Sequence, residues 1–213
     1  MGNPRVWDAR ANVFTSVDGW MQALGRRLIQ HPVEFEIRLR KDLFLEQRLE
    51  RQLGARPAGH GRKAKLAKWI GENEEFDVVI FMVDADSNDV RDWRRIVSEI
   101  QAGFDALAAG PVSVPCVPMS ASESWLLSDP NAWSAVGLLR RGVLPLRPET
   151  IWGVRSDPLD NHPHQWFARV CNAAGVLDER EIRVEIAETT DLNALRSACP
   201  ISFLPVSQAL GAI

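Results

Sequence analysis

The sequence predicts an α/β fold, a mostly parallel sheet flanked by helices, followed by a helical carboxy-terminal extension. Three observations carry this. Asp77-Val-Val-Ile-Phe-Met-Val-Asp84-Ala-Asp86 is an unbroken apolar run framed by acids, the pattern of a strand buried on both faces in the middle of a parallel sheet. Strand-like and helix-like segments alternate up to Pro118, and parallel neighbours need crossover connections. Beyond Pro118 the strand signals give way to short helices. The expected organisation is an α/β core over residues 13–119 with an extension over 120–213 packed on it.

In order, Val13-Phe14-Thr15-Ser16-Val17 is a short β-rich run ending at Asp18-Gly19, after which Met21, Leu24 and Leu28 take helical spacing. The strict alternation of Val33-Glu-Phe-Glu-Ile-Arg-Leu39 marks a half-exposed strand near a sheet edge. Leu45, Leu49 and Leu53 continue as a helix to Gly54, and a short helix is expected around Ala64–Ile70. The central strand Val78–Val83 follows. Val90, Trp93, Val97, Ile100, Phe104 and Leu107 then recur at spacings of three and four, one apolar face of a helix. Val112–Pro118 reads as a strand that Pro115 keeps from the sheet centre. In the extension, helices are expected over Ser124–Leu127, Asn131–Leu139, Trp166–Ala174, Glu181–Ala187 and Leu192–Ala198, with a proline-rich turn through Pro145 and Pro148.

The 213 residues suffice for one sizeable core, and 46% hydrophobic with 25% charged residues is ordinary for a soluble chain. No stretch reaches the ~18–20 apolar residues of a membrane span. The start, Met1-Gly-Asn-Pro-Arg-Val-Trp-Asp8, has no apolar leader region, so a cytoplasmic location is expected. Cys116, Cys171 and Cys199 lie far apart and read as buried thiols rather than a disulfide framework or a metal knuckle. A formal charge of −3 argues against a surface coated for nucleic acid but allows a local basic groove.

The chemistry gathers at the ends of the strands. If strand geometry persists, Asp84 and Asp86 point to one side, where two carboxylates can share a divalent cation. The carboxyl edge of a parallel sheet is also where open α/β folds bind ligands. The competing reading is that Asp86-Ser-Asn-Asp89 caps the next helix. Glu123, in Ser120-Ala-Ser-Glu123-Ser-Trp-Leu-Leu-Ser-Asp129, follows the last strand and converges on the same edge, or else caps its own helix start. Trp125, Leu126 and Leu127 beside it read as core. Asp18-Gly19 is an acid at a strand end with a turn-permitting glycine. Arg62, Lys63, Lys65 and Lys68 form a basic cluster that either neutralises nucleic-acid phosphates or makes a solvated helix face. His162-Pro-His164 reads as a helix start.

Asp18-Gly19, Asp84-x-Asp86 and Glu123-Ser-Trp-Leu-Leu together resemble the Toprim fold, in which an acid-Gly turn and an Asp-x-Asp hold magnesium. The chain is similar, from Val13 onward, to a Toprim-like family of unknown function encoded beside ATPase genes in bacteria. In that family a Glu-x-Trp-Leu-Leu-x-Asp segment follows the fourth strand. Ile151-Trp-Gly-Val-Arg-Ser-Asp157-Pro and Ala187-Glu-Thr-Thr-Asp-Leu-Asn-Ala-Leu-Arg-Ser-Ala-Cys-Pro200-Ile-Ser-Phe203 resemble its carboxy-terminal signatures. Here Asp18 stands where Toprim proteins usually carry Glu, and Trp20-Met21 replace a small polar and acidic pair.

What the resemblance implies is a Mg2+- or Mn2+-dependent nuclease acting on DNA or RNA. It further implies an effector of an anti-phage defence system working with an ATPase partner, as in overcoming-lysogenization-defect nucleases. Asp84, Asp86 and Glu123 are then expected to hold the cations, Asp18 to ligate metal or position the water, and the Arg62 to Lys68 region to grip the substrate backbone. The alternative is a non-catalytic interaction subunit whose tryptophans and helical tail face an ATPase or copies of itself.

Overall fold

In the computed structural model, which describes residues 5–10, 19–30, 32–38, 51, 53–54, 57–138 and 141–213, the long apolar run lies where its composition puts it. Four parallel strands, β1 (Arg5–Arg10), β2 (Glu34–Arg38), β3 (Val78–Met82) and β4 (Val112–Cys116), form one sheet in the order β2-β1-β3-β4. All five residues of β3 are buried, and Ile80 stands in register with Asp8 of β1 and Val114 of β4. The alternating segment and the Pro115 segment are the two edges, as their patterns require. The first strand differs from expectation. It lies at Arg5–Arg10, ahead of the Val13–Val17 run, which falls outside the described residues, as do most of the Leu45–Leu53 positions.

Successive residues of β3 feed opposite faces. Val78, Ile80 and Met82 join Val114 and Cys116 in one core with α1 (Trp20–Leu28) and the extension. Val79 and Phe81 join the other core, with α2 (Gly59–Asn73) and α3 (Val90–Asp105). The extension comprises α4 (Glu123–Leu126), α5 (Pro130–Ala135), α6 (Pro163–Ala174), α7 (Arg180–Thr189), α8 (Leu192–Ala198) and α9 (Phe203–Gly211). It shares its core with the sheet: Trp125, Trp133, Phe167 and Phe203 are fully buried in the same cluster as Ile80.

Two helices exceed expectation for identifiable reasons. The start of α2 carries Gly59 and Gly61, poor helix formers that hide its first turn from a propensity reading. Gly61 is there for space: a Cβ on Gly103 of α3 would lie 2.1 Å from the Gly61 carbonyl oxygen, so the two helices cross backbone to backbone. The start of α9 carries Pro205, which is harmless in a first turn where its missing N–H has no partner to lose. Cys116, Cys171 and Cys199 are buried free thiols. Among the described residues no helix is long and apolar enough to cross a membrane.

Candidate functional site

Beyond Met82 the chain keeps running alongside the segment that follows β4. The Val83 N–H donates to the Cys116 carbonyl (3.1 Å) and the Ala85 N–H to that of Pro118 (2.9 Å). Side-chain alternation therefore continues, and Asp84 falls on the face of Val78, Ile80 and Met82, at the carboxyl edge under the extension. At Asp86 it breaks: φ is +50°, the left-handed region, which Asp tolerates better than most residues. Asp84 is half-buried and Asp86 is exposed at the rim. The two remain neighbours, since the charge of Asp86 acts on Asp84.

Within the Asp86-Ser-Asn-Asp89 segment, capping of α3 falls to Asp89 and Ser87, as the competing reading expected of that segment. Asp89 is its N-cap and accepts from the Arg91 N–H at 2.8 Å, while the Asp89 N–H donates to Ser87 Oγ and Ser87 Oγ bonds Asp92. Asp84 and Asp86 are left out of that task.

Glu123 opens α4 and is only 3% exposed. It makes no cap. Its Oε1 accepts from His164 Nδ1 (2.9 Å) on α6 and from Arg183 Nη1 (2.7 Å) on α7. Arg183 in turn holds Asp178 with two bonds, from Nε at 2.7 Å and Nη2 at 2.9 Å, and lies over the Phe167 ring. His164 stacks on His162, ring centroids 5.1 Å apart and 4° from parallel, and its backbone N–H donates to His162 Nδ1 at 3.2 Å.

The electrostatics follow from this arrangement. Burial and the neighbouring charges of Glu123 and Asp86 push the Asp84 carboxyl up to about 7, against the smaller pull of His164 and a hydrogen bond from the Ser122 N–H. Burial alone would raise Glu123 too. The hydrogen bonds and charges of His164 and Arg183 overcome it and hold that carboxyl down at about 2. Burial lowers His162, with the charge of His164 next.

Asp84 and Glu123 each keep a buried oxygen, Oδ1 and Oε2, without a hydrogen-bond partner, as do Ser120 Oγ and Ser124 Oγ beside them. Unanswered buried oxygens are costly, and native structures leave few of them. Among the described residues no three His, Cys, Asp or Glu side chains are arranged to hold a metal ion.

A family profile described as a domain of unknown function, DUF4276, matches residues 15–205. The chain belongs to the DUF4276 family. No curated protein and no solved structure matches it. The DUF4276 match takes in β2, β3 and β4 and the extension as far as residue 205, so it includes every residue of the cluster just described, while β1 lies ahead of it.

Of the sequence-predicted residues in this DUF4276 chain, Asp84, Asp86 and Glu123 come together. Asp18 lies outside the described residues. Its neighbour Gly19 has φ −125°, extended backbone open to any residue, and serves as N-cap of α1, its N–H donating to Gln22 Oε1 at 2.7 Å. The basic cluster sits elsewhere. Lys68 Nζ donates to the carbonyls of Phe104 (3.0 Å) and Leu107 (2.9 Å), at the carboxyl end of α3, and Lys65 Nζ bonds the Leu53 carbonyl. The amino end of α3 adjoins Asp84, and its 16 residues span about 24 Å at 1.5 Å per residue, so Lys68 is remote from the carboxylates. Sequence reading missed His164, Arg183 and Asp178. The one available signal was His162-Pro-His164 itself, two imidazoles at a helix start.

Proposed function

We propose that this chain is a metal-dependent phosphodiesterase, a nuclease whose divalent cation is bound at Asp84, Asp86 and Glu123. The observation that carries the reading is the pair of buried, unpartnered carboxylate oxygens, Asp84 Oδ1 and Glu123 Oε2, at the carboxyl edge of a parallel sheet. Their chemistry suits a hard cation, which takes such oxygens as ligands and would offset the burial and the neighbouring charges that raise Asp84, and the three side chains would have to close on the ion, since none of the described groups is arranged around one as it stands. When bound, Mg2+ or Mn2+ supplies charge to a phosphate and lowers the pKa of a water. The chain's own residues do the rest. Arg183 and His164 keep Glu123 ionised, and Asp86, exposed at the rim, would be open to solvent and to a substrate. Asp18 belongs to the proposal as a further ligand through the Toprim resemblance alone. The same resemblance supports nucleic acid as substrate and an ATPase partner within an anti-phage system.

A second reading, a non-catalytic interaction subunit of an ATPase complex, draws support from Arg183, whose charge already neutralises one side of Glu123. The two separate on a cleavage panel of plasmid, single-stranded DNA and tRNA with Mg2+ or Mn2+. The nuclease reading expects cutting by the wild type and none by the Asp84→Ala, Asp86→Ala double variant. Cutting that survives in the double variant, or none by the wild type even with its ATPase partner present, defeats it.

A further inference from the structure

We propose that Arg155 binds substrate phosphate, a guanidinium held at the rim of the carboxylate cluster to grip a nucleic-acid strand beside the bond that is cut. The inference rests on the nuclease reading above and gives it the cationic contact that the remote basic cluster of α2 does not supply. A polyanion is bound by cations that neutralise its phosphates, yet this cluster is rimmed by the acids Asp84, Asp86, Glu123 and Asp178. The other cations nearby are already engaged. Arg183 is spent on Glu123 and Asp178, His164 on Glu123, and Arg169 Nη1 donates to the carbonyls of Pro158 and Asp160, at 2.8 Å each. Arg155 is exposed, and its guanidinium makes no hydrogen bond or ion pair among the described residues.

Two observations place it at the cluster. Gln165 follows His164 in the first turn of α6, and its Nε2 donates to the Arg155 carbonyl at 2.5 Å, tying this backbone to the residue next to the imidazole that holds Glu123. The electrostatics agree: at His162 burial and the charge of His164 act most strongly, and the charges of Arg155, Glu123 and Asp86 reach it as well. Arg155 and Asp86 therefore lie around one imidazole, which stacks on His164 at 5.1 Å and meets the Trp152 ring at 5.3 Å. The loop that carries Arg155 is tightly bonded. Asp160 Oδ2 accepts from the Val154 N–H at 2.9 Å and Oδ1 from the Asn161 N–H at 2.5 Å, Asp157 Oδ1 accepts from the Leu159 N–H at 2.9 Å, and the Asp157 N–H donates to the Val154 carbonyl at 3.1 Å. Bonds on both sides of an exposed side chain that itself bonds nothing fix where that side chain is presented, as a binding group on a supported backbone requires. Arginine suits the task, since its planar fork takes two phosphate oxygens at once.

The test measures binding rather than turnover. Fluorescence anisotropy of labelled single-stranded DNA, duplex DNA and RNA is followed on titration with the full chain in EDTA, which bars metal-dependent cutting, over a range of salt. Arg155→Gln should weaken binding of whichever strand the wild type takes by about tenfold or more, the scale of a lost charge-assisted hydrogen bond, and reduce the salt slope by about 0.7 to 0.9, one phosphate contact. Lys68→Met removes the same charge far from the cluster and should change neither. The melting temperature of Arg155→Gln should match the wild type, since the guanidinium bonds nothing in the fold. Wild-type affinity and slope in Arg155→Gln, an equal loss in Lys68→Met, or no binding of any strand by the wild type overturns the assignment. The cleavage panel separates the two readings. Arg155-dependent binding without any cutting defeats the nuclease and leaves the phosphate contact, whereas cutting with an unchanged KM in Arg155→Gln defeats the contact and leaves the nuclease.

Discussion

On the face of the sheet covered by α2 and α3, no polar side chain among the described residues is fully buried, whereas the face covered by α1 and the extension buries Gln22, Glu123, Asp129, Glu149 and His162 within its apolar core. The first face is closed by helix backbone on helix backbone at Gly61 and Gly103, by the Trp93 indole N–H on the Val117 carbonyl and by Lys68 tying down the end of α3, and its one buried polar atom without a partner among the described residues is His60 Nδ1. The second face carries two kinds of buried acid. Asp129 and Glu149 have every oxygen answered and join the helices, while Glu123 and Asp84 keep oxygens in reserve. Burying a carboxylate is tolerable when donors meet it, and the two acids whose oxygens are not met are the ones the proposed cation would answer.

The strongest way to break this contrast is to remove the acids with open oxygens. Asp84→Ala should reduce metal-dependent cleavage about 100-fold or more, with the melting temperature within a few degrees of wild type. Loss of cleavage through unfolding would erase the distinction. The counterpart is Glu149→Ala, which strands the Ile201 and Ser202 donors. It should lower stability by about 2–4 kcal/mol in denaturant titration and leave Mn2+ affinity unchanged. On the opposite face, Gly103→Ala forces a methyl against the Gly61 carbonyl and should cost about 1–3 kcal/mol, again without an effect on metal binding.

A subtler contrast comes from pH. The Asp84 carboxyl titrates at about 7 in the fold and near its ordinary value when unfolded, so the folded state holds the extra proton between the two. Stability of the metal-free chain should therefore decline as pH rises from about 4 to 7, by at most about 4 kcal/mol. Asp84→Asn should flatten that decline, and Mn2+ should restore stability at pH 8 in the wild type alone. Glu123 runs the opposite way: its carboxyl at about 2 contributes stability above its unfolded value, lost only as pH falls through 2. The smallest effect is expected from Lys68→Met, about 0.5–1.5 kcal/mol from the two carbonyl bonds at the end of α3, with nucleic-acid affinity unaltered.

Three of the four strands and α3 were legible because their periodicity is local: β2 alternates, β3 is apolar throughout, Pro115 disqualifies β4 from the centre, and α3 repeats at three and four, whereas β1, Arg-Val-Trp-Asp-Ala-Arg, has no such run and was not expected. The carboxylates were legible for a related reason, since Asp84, Asp86 and Glu123 each follow a strand directly and topology brings strand ends together. His164 and Arg183 lack such a marker. Arg183 meets Glu123 across 60 residues, and nothing in the pattern of α7 sets that arginine apart from Arg180. The basic cluster shows a different limit, because a run of charges shows their number and not what they bond. Lys65 and Lys68 are occupied by backbone carbonyls.

The chain from Asp178 through Arg183 and Glu123 to His164 also orders events in time. A ribosome that has released the four strands and Glu123 has yet to make His164 and Arg183, so the acid at the sheet edge has neither of its partners. The cluster takes its final form only once α6 and α7 have emerged and docked, and a nascent sheet carries the carboxylates without the side chains that set their charge.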